Sequence, residues 1–276
     1  MSPPVRLIAT DVDGTLLRSD GTVSPRTRAA LEAADAAGLI VAFATGRPPR
    51  WLDDLIDATG HLGVAVGANG AVVYDIATET VLSAYHLQPE TMIGLAADLR
   101  AAFPGVSFAV EYGDGFGAEP DYIHDWEVNP RTDRRGQPVA PPLIAELAEI
   151  AARPALKLLA KDRGADVDAF LAAALTVVED RATVTHSSSY GLLEVGAAGV
   201  TKASGLAELA AMHGITAAEV VTIGDMPNDV PMVVWAGVGL AVASAHPDVA
   251  AAAAAVIPDP DDDGVAQLVD HVLDRL

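Results

Sequence analysis

The sequence predicts an α/β fold: a parallel sheet covered by helices, with a second α/β domain inserted into it. Three observations predict this. Apolar strand-like runs alternate with helix-like segments at both ends of the 276-residue chain. Two of these runs deliver acidic turns, Asp11-Val12-Asp13-Gly14-Thr15 near the start and Gly224-Asp225-Met226-Pro227-Asn228-Asp229 near the end. Between about His86 and Ser189 the style changes, and aromatics, charges and prolines concentrate.

Taken in order, Leu7-Ile8-Ala9-Thr10 is a short apolar run ending in turn residues, which reads as a buried strand. Ser24 before Pro25 is an N-cap with proline at the first helical position, and Thr27 to Ala37 is helical until Gly38 stops it. Leu39 to Ala44 is a second strand, closed by Thr45-Gly46-Arg47-Pro48. A helix through Trp51 to Ala58 follows, then Val64 to Val66 and a hairpin-like pair, Ala71 to Tyr74 with Thr80 to Tyr85. This βαβα order implies parallel strands with helices on their faces.

In the insert, strand-like runs (Val106 to Val110, Leu156 to Ala160, Thr183 to Ser187) alternate with helical ones (Thr91 to Ala102, Leu143 to Ile150, Ala165 to Ala174). A polar stretch runs around Trp126 to Pro142. The earlier style then returns with a helix from Thr201 to His213, strands Val220 to Ile223 and Gly239 to Val242, and a last helix from Gly264 to Leu276. The expected organisation is a core over 1–85 and 190–276 with an inserted domain over 86–189.

Apolar residues make up 51% of the chain and aromatics 5%, which suits a soluble domain built on helix formers. The formal charge of −21 opposes binding to nucleic acid or an anionic membrane, because its field repels phosphate backbones. A small anionic substrate meets the same field, so a phosphate site must carry local positive charge. With no cysteine, disulfides and thiolate zinc sites are excluded, which fits a reducing cytoplasm. Met1 to Arg6 lacks the apolar core of a signal peptide, and the alanine-rich Val249 to Ile257 is too short to span a bilayer. The acidic run Asp259 to Asp263 reads as a solvated turn capping the last helix. A monomer is the default, with a homodimer as the alternative.

Ligands of open α/β sheets sit beyond the carboxyl ends of the strands. Side chains alternate along an extended segment, so Asp11 and Asp13 point one way and Val12 points back to the core. Two carboxylates on one side of a strand end repel each other unless a cation or a shared proton is present. A calcium loop beginning at Asp11 is excluded, because its fifth, sixth and twelfth positions hold Thr15, Leu16 and Thr22. A metal, a protonated carboxylic acid and a solvated Asp turn remain open on these residues alone.

Four sites each follow an apolar strand or open a helix: Asp11 with Asp13, Thr45-Gly46, Lys202, and Asp225 with Asn228 and Asp229. In that order, and with D-V-D-G-T-L-L, A-T-G-R, V-T-K and G-D-M-P-N-D around them, they resemble the haloacid dehalogenase superfamily of phosphohydrolases, and more closely its Cof-type sugar-phosphate phosphatases. Gly67-Ala-Asn-Gly-Ala71 and Glu119-Pro-Asp121 are similar to that branch as well. The resemblance implies a Rossmann-like parallel-sheet core with an inserted α/β cap of the C2 type between the second and third motifs.

The resemblance also implies roles. Asp11 would be the nucleophile that forms an aspartyl-phosphate, and Asp13 the acid and base for the leaving alcohol and the water. Mg2+ would be held by the Asp11 and Asp225 carboxylates and the backbone carbonyl of Asp13. Thr45 and the amides of Gly46 and Val12 would donate to phosphate, with Lys202 adding its charge at a helix start. Asn228 is expected to donate to phosphate, Asp229 to orient Lys202 or a metal-bound water, and Arg47 to meet the leaving group or Asp13. In the cap, Asp114, Glu119 and Tyr122 are candidate substrate contacts. The implied activity is Mg2+-dependent hydrolysis of a small phosphorylated metabolite, with sugar phosphates foremost, under a mobile cap. Phosphotransfer to a sugar hydroxyl is the alternative, followed by a catalytically idle phosphometabolite-binding module.

Overall fold

The structure is a computed structural model that describes residues 3–61, 63–122, 138–188 and 190–276. It divides into two compact units, one of Met1–Gly46, Asp54–Ser83 and Thr201–Leu276, the other of Arg47–Asp53 and Ala84–Val200. The chain begins β1 (Leu7–Thr10), α1 (Pro25–Ala36), β2 (Ile40–Ala44), α2 (Asp53–Thr59), β3 (Val64–Gly67), β4 (Val72–Asp75) and β5 (Thr80–Ala84). Next come α3 (Pro89–Ala102), β6 (Ser107–Glu111), β7 (Phe116–Ala118), β8 (Leu143–Ile144), α4 (Leu147–Ile150), β9 (Lys157–Lys161), α5 (Val167–Val178), β10 (Ala182–Thr185) and β11 (Leu192–Ala197). The last part holds α6 (Lys202–Met212), β12 (Val220–Gly224), α7 (Val230–Trp235), β13 (Val238–Val242), α8 (Pro247–Ala252), β14 (Ala255–Ile257) and α9 (Gly264–Leu273).

The first unit carries an eight-stranded sheet in the order β14-β13-β12-β1-β2-β3-β4-β5. Strands β14 through β3 run parallel and β4 turns back antiparallel on β3. The α/β class with a parallel core is therefore as the sequence implied. Local chemistry starts its helices: the Ser24 hydroxyl accepts from the Thr27 amide at 2.9 Å ahead of Pro25, and Thr201 with Ser204 forms a capping box ahead of Lys202. Leu7, Ala9, Val66, Leu206, Leu209 and Met232 are buried together between sheet and helices. Each such leucine contributes about 1.5–3 kcal/mol of burial.

Register decides what the strands deliver. Thr10 lies opposite Ile223 on one side and Phe43 on the other, so β1, β12 and β2 end almost level. Asp11, Asp225 and Thr45 are the residues that emerge there.

The second unit carries a six-stranded sheet in the order β10-β11-β9-β6-β7-β8, antiparallel except between β7 and β8. On one face Phe108, Val110, Leu158, Ala160, Leu193 and Val195 pack in the same core as Leu95, Leu99 and Phe170 from α3 and α5. Strand alternation turns Glu111, Lys157 and Glu194 to the other face. There Lys157 Nζ donates to Glu194 Oε2 at 2.5 Å, and the Ser187 hydroxyl donates to Glu194.

Two sequence expectations change here. The helix expected over Leu143 to Ile150 is a single turn, Leu147–Ile150, because Leu143 and Ile144 pair with Gly117 and Ala118 as β8. The insert was expected to end at Ser189, yet β11 pairs with β9 and β10, which keeps the chain in the second unit to Val200. The apolar run Leu192-Leu193-Glu194-Val195 was the signal for that strand. The polar stretch around Trp126 lies, up to Gln137, outside the described residues, as does Ser189.

Candidate active site

Asp11 follows β1 directly, and its amide donates to the Ile223 carbonyl at 2.9 Å, so the strand pairing with β12 continues into the turn. Its carboxylate is almost wholly buried. The Val12 side chain is fully buried, and its carbonyl accepts from the amides of Leu16 and Leu17, closing the loop that carries Asp13. Gly14 has φ +85°, and a Cβ there would lie 2.3 Å from Asp225 Oδ2. Glycine is required here by both the backbone angle and the close approach of that carboxylate. The Thr15 hydroxyl donates to Asp225 Oδ1 at 3.1 Å.

Across the sheet, β12 ends at Gly224, and the tight turn Pro227–Asp229 folds back on it. One carboxylate oxygen of Asp229, Oδ2, accepts from the amides of Asp225 and Met226 at 2.9 and 3.1 Å. The other, Oδ1, accepts from Lys202 Nζ at 2.6 Å. The same ammonium donates to Asp11 Oδ1 at 2.5 Å. Lys202 is the first residue of α6, so the amino end of that helix points its partial positive charge at the cluster.

Thr45 is buried; its amide donates to the Val66 carbonyl at 2.9 Å and its carbonyl accepts from the Asn69 amide at 3.0 Å. Asn228 Nδ2 donates to Asn69 Oδ1 at 3.1 Å. The first unit thus brings together Asp11, Asp225, Asp229 and Lys202, and links Thr45 to Asn228 through Asn69. Asp13 is exposed beside them. Arg47 is half-buried and opens the second unit.

Three carboxylates surround one ammonium, and the titration behaviour follows. Burial drives the Asp11 carboxyl well above the usual carboxylate range; Lys202 pulls it back, while Asp229 and Asp225 add to the rise. Asp225 is pushed up to about 6, by burial first and by Asp229 next. Burial opposes the charge on Lys202, yet Asp11 and Asp229 outweigh it and raise the ammonium above its ordinary value. Oxygens of Asp11, Asp225 and Asp229 lie within 4.8 Å of one another, an acidic cluster that fits a metal ion. Oxygen donors suit a hard divalent cation, and such a cation offsets the excess negative charge. Both oxygens of Asp229 are already engaged by Lys202 and two amides, which leaves Asp11 and Asp225 as the better ligands.

The three insert residues expected to meet substrate are tied into the second unit itself. Glu119 accepts from Arg100 at 2.6 and 2.7 Å and from the Phe108 amide at 2.8 Å. Asp114 pairs with Arg153 at 2.8 Å, and Tyr122 lies buried with Lys161 Nζ 4.3 Å from its ring centre. Sequence reasoning gave no role to Thr15 or Asn69, although both lie inside motifs it had singled out.

Comparison with known proteins follows the same lines. The chain belongs to the haloacid dehalogenase-like hydrolases, whose family model matches residues 8–269. It is 30% identical over 269 residues to the phosphoglycolate phosphatase of Natronomonas pharaonis, covering 97% of this chain and 98% of that protein. It is 26% identical over 274 residues to the 5-amino-6-(5-phospho-D-ribitylamino)uracil phosphatase YcsE of Bacillus subtilis, covering 97% and 95%. The solved structure of the subclass IIB sugar phosphatase BT4131 matches with a TM-score of 0.78 at 24% identity, over 97% of this chain and 98% of that one. The family and these relatives make the chain a phosphomonoester hydrolase in class. Among the described residues, no helix is long and apolar enough to cross a membrane.

Proposed function

We propose that this protein is a Mg2+-dependent phosphatase of small phosphorylated metabolites, with sugar phosphates the leading class, acting through an aspartyl-phosphate on Asp11. One observation carries the reading: the fully buried Lys202 ammonium bridges Asp11 and Asp229 while Asp225 stands within reach of the same carboxylate. A nucleophilic carboxylate needs to be held, kept ionised and brought to a phosphate dianion that repels it. Lys202 supplies the holding and part of the charge.

In the first step a carboxylate oxygen of Asp11 forms a bond to phosphorus as the ester P–O bond breaks, and Asp13 gives its proton to the departing alcohol oxygen. In the second, water attacks the same phosphorus, Asp13 takes the water's proton, and the acyl-phosphate P–O bond breaks to return Asp11 and release inorganic phosphate. The exposed position of Asp13 suits a group that exchanges its proton with solvent. Thr45, the Gly46 and Val12 amides, Lys202 and Asn228 orient the phosphate, and Asp229 holds Lys202. Bound to Asp11, Asp225 and the Asp13 carbonyl, Mg2+ would supply charge that lowers the repulsion between carboxylate and phosphate.

The relatives' substrates, phosphoglycolate and a phosphoribitylamino-uracil, are small polar phosphomonoesters, which supports the same class here. A cytoplasmic enzyme fits the lack of cysteine, with a monomer as the default and a homodimer as the alternative.

The test is phosphate release from a panel of sugar phosphates, phosphoglycolate and nucleotides, each with Mg2+ and with a chelator. Metal-dependent turnover is expected, and Asp11→Asn should lose at least about 1,000-fold of it while keeping a wild-type circular dichroism spectrum. Near-wild-type turnover in that variant refutes the reading.

A further inference from the structure

We propose that Asn69 is a positioning residue that fixes the Asn228 carboxamide and couples it to Thr45. The inference rests on the reading of this cluster as a phosphate-handling site.

Asn69 lies in the turn Ala68–Gly70 between β3 and β4, at φ 58° and ψ 33°. This is the left-handed region, which costs most side chains energy and which asparagine tolerates well. The turn makes three separate ties. The Asn69 amide donates to the Thr45 carbonyl at 3.0 Å. Asn69 Oδ1 accepts from Asn228 Nδ2 at 3.1 Å. Gly70, at φ +99°, stands so close to the N-cap of α6 that a Cβ would lie 1.9 Å from the Thr201 carbonyl oxygen. This one turn therefore meets three of the segments that carry candidate phosphate contacts: the end of β2, the start of α6 and the turn after β12.

The side-chain tie has a directional consequence. A carboxamide presents two N–H donors at one end and an acceptor oxygen at the other. Asn69 Oδ1 can only accept, so it draws the NH2 end of Asn228 toward itself and turns Asn228 Oδ1 away. That oxygen is buried and has no hydrogen-bond partner among the described residues. Buried polar atoms are almost always paired, so an orphaned acceptor at this place calls for a donor that arrives with the ligand. Asn69 thereby presets Asn228 to offer one N–H to a phosphate oxygen and its carbonyl oxygen to a hydroxyl or water carried in with it.

The alternative is that Asn69 is there only to shape a tight turn, and Asn69→Gly separates the two. Glycine adopts the same backbone angles freely, so the turn survives and only the carboxamide is removed. We expect kcat to fall about 10- to 100-fold, with KM changed less than about threefold. The thermal midpoint should barely move. In an Asn228→Ala background Asn69→Gly should cause no further loss, because it acts through the group already removed. Wild-type kcat in Asn69→Gly, or losses that multiply in the double variant, overturns the inference. A second readout does not depend on turnover: Asn228 side-chain amide protons should exchange with solvent at least about 10-fold faster in Asn69→Gly, as loss of a protecting hydrogen bond dictates. Unchanged exchange overturns the inference, whereas absence of any phosphatase activity in the wild type overturns the reading of the site instead.

Discussion

Lys202 Nζ and Asp229 Oδ1 lie 2.6 Å apart with both side chains wholly withdrawn from water. The pair does two jobs. Asp229 uses its second oxygen to hold the amides of Asp225 and Met226, so one carboxylate sets both the ammonium that faces Asp11 and the turn that presents Asp225. A change at either residue is therefore felt at Asp11 and at Asp225 together.

Replacing Lys202 by Met leaves Asp11 and Asp229 buried without their cation. Breaking a buried pair by removing one partner costs about 3–5 kcal/mol, and that loss is expected in urea unfolding along with loss of phosphatase turnover. Lys202→Arg should not restore either, because a planar guanidinium does not fit a buried point-charge site. A Met variant as stable as wild type contradicts the account.

The metal-free protein should lose stability as pH rises from about 4 through about 6. The sign follows from Asp225, whose carboxyl is pushed up to about 6 in the fold. It binds its proton more tightly folded than unfolded, so deprotonation across that window disfavours the folded state, and Asp11 shifts in the same direction. Thermal midpoints with chelator, wild type against Asp225→Asn, isolate the contribution: the variant should be the less sensitive of the two. Added Mg2+ should raise the wild-type midpoint more at pH 7.5 than at pH 5, since its ligands must be ionised. Equal slopes for both proteins would speak against it.

Gly14→Ala should strain the turn and push the Asp225 carboxylate aside. The left-handed angle alone costs an alanine about 1–2 kcal/mol, and the new Cβ would meet Asp225 Oδ2 at 2.3 Å. Calorimetric titration should show Mg2+ affinity reduced at least about 10-fold, as for other disturbances next to metal ligands. Unaltered affinity would place the metal elsewhere.

In the second unit, Arg50 donates to both oxygens of Glu111, at 3.1 and 2.5 Å, with Trp51 and Phe116 stacked about its guanidinium. Glu111 is nearly inaccessible. Arg50→Ala removes a bidentate charged donor from a buried acceptor and should destabilise by about 1.5–3 kcal/mol in denaturant unfolding. Because the Gly113 amide still bonds Glu111 Oε1, the unit should remain folded.

Much of the fold was legible because its signals are local. Ser24-Pro25, the Gly38 stop and the apolar runs before Asp11 and Asp225 each act over a few residues, and the structure follows them. The insert was harder. Leu143 and Ile144 carry a helical pattern but serve as a strand, because pairing to Gly117 and Ala118 outweighs a weak local preference. β11 was missed because its central residue is Glu194, a charge that makes sense only once Lys157 is found beside it.

The candidate site divides in the same way. The sequence by itself determined which residues have the right chemistry: two acidic strand ends, a lysine opening a capped helix, and Thr45-Gly46 after an apolar run. Only the tertiary structure decided that Lys202 reaches an aspartate 191 positions away and that Asp225 bonds Thr15 across 210. It alone assigned Asn69 to hold Asn228, 159 positions distant. The physical reason is register. Turn and cap chemistry is written in neighbouring residues, whereas the meeting of distant side chains depends on parallel strands that end level, with Thr10 between Ile223 and Phe43.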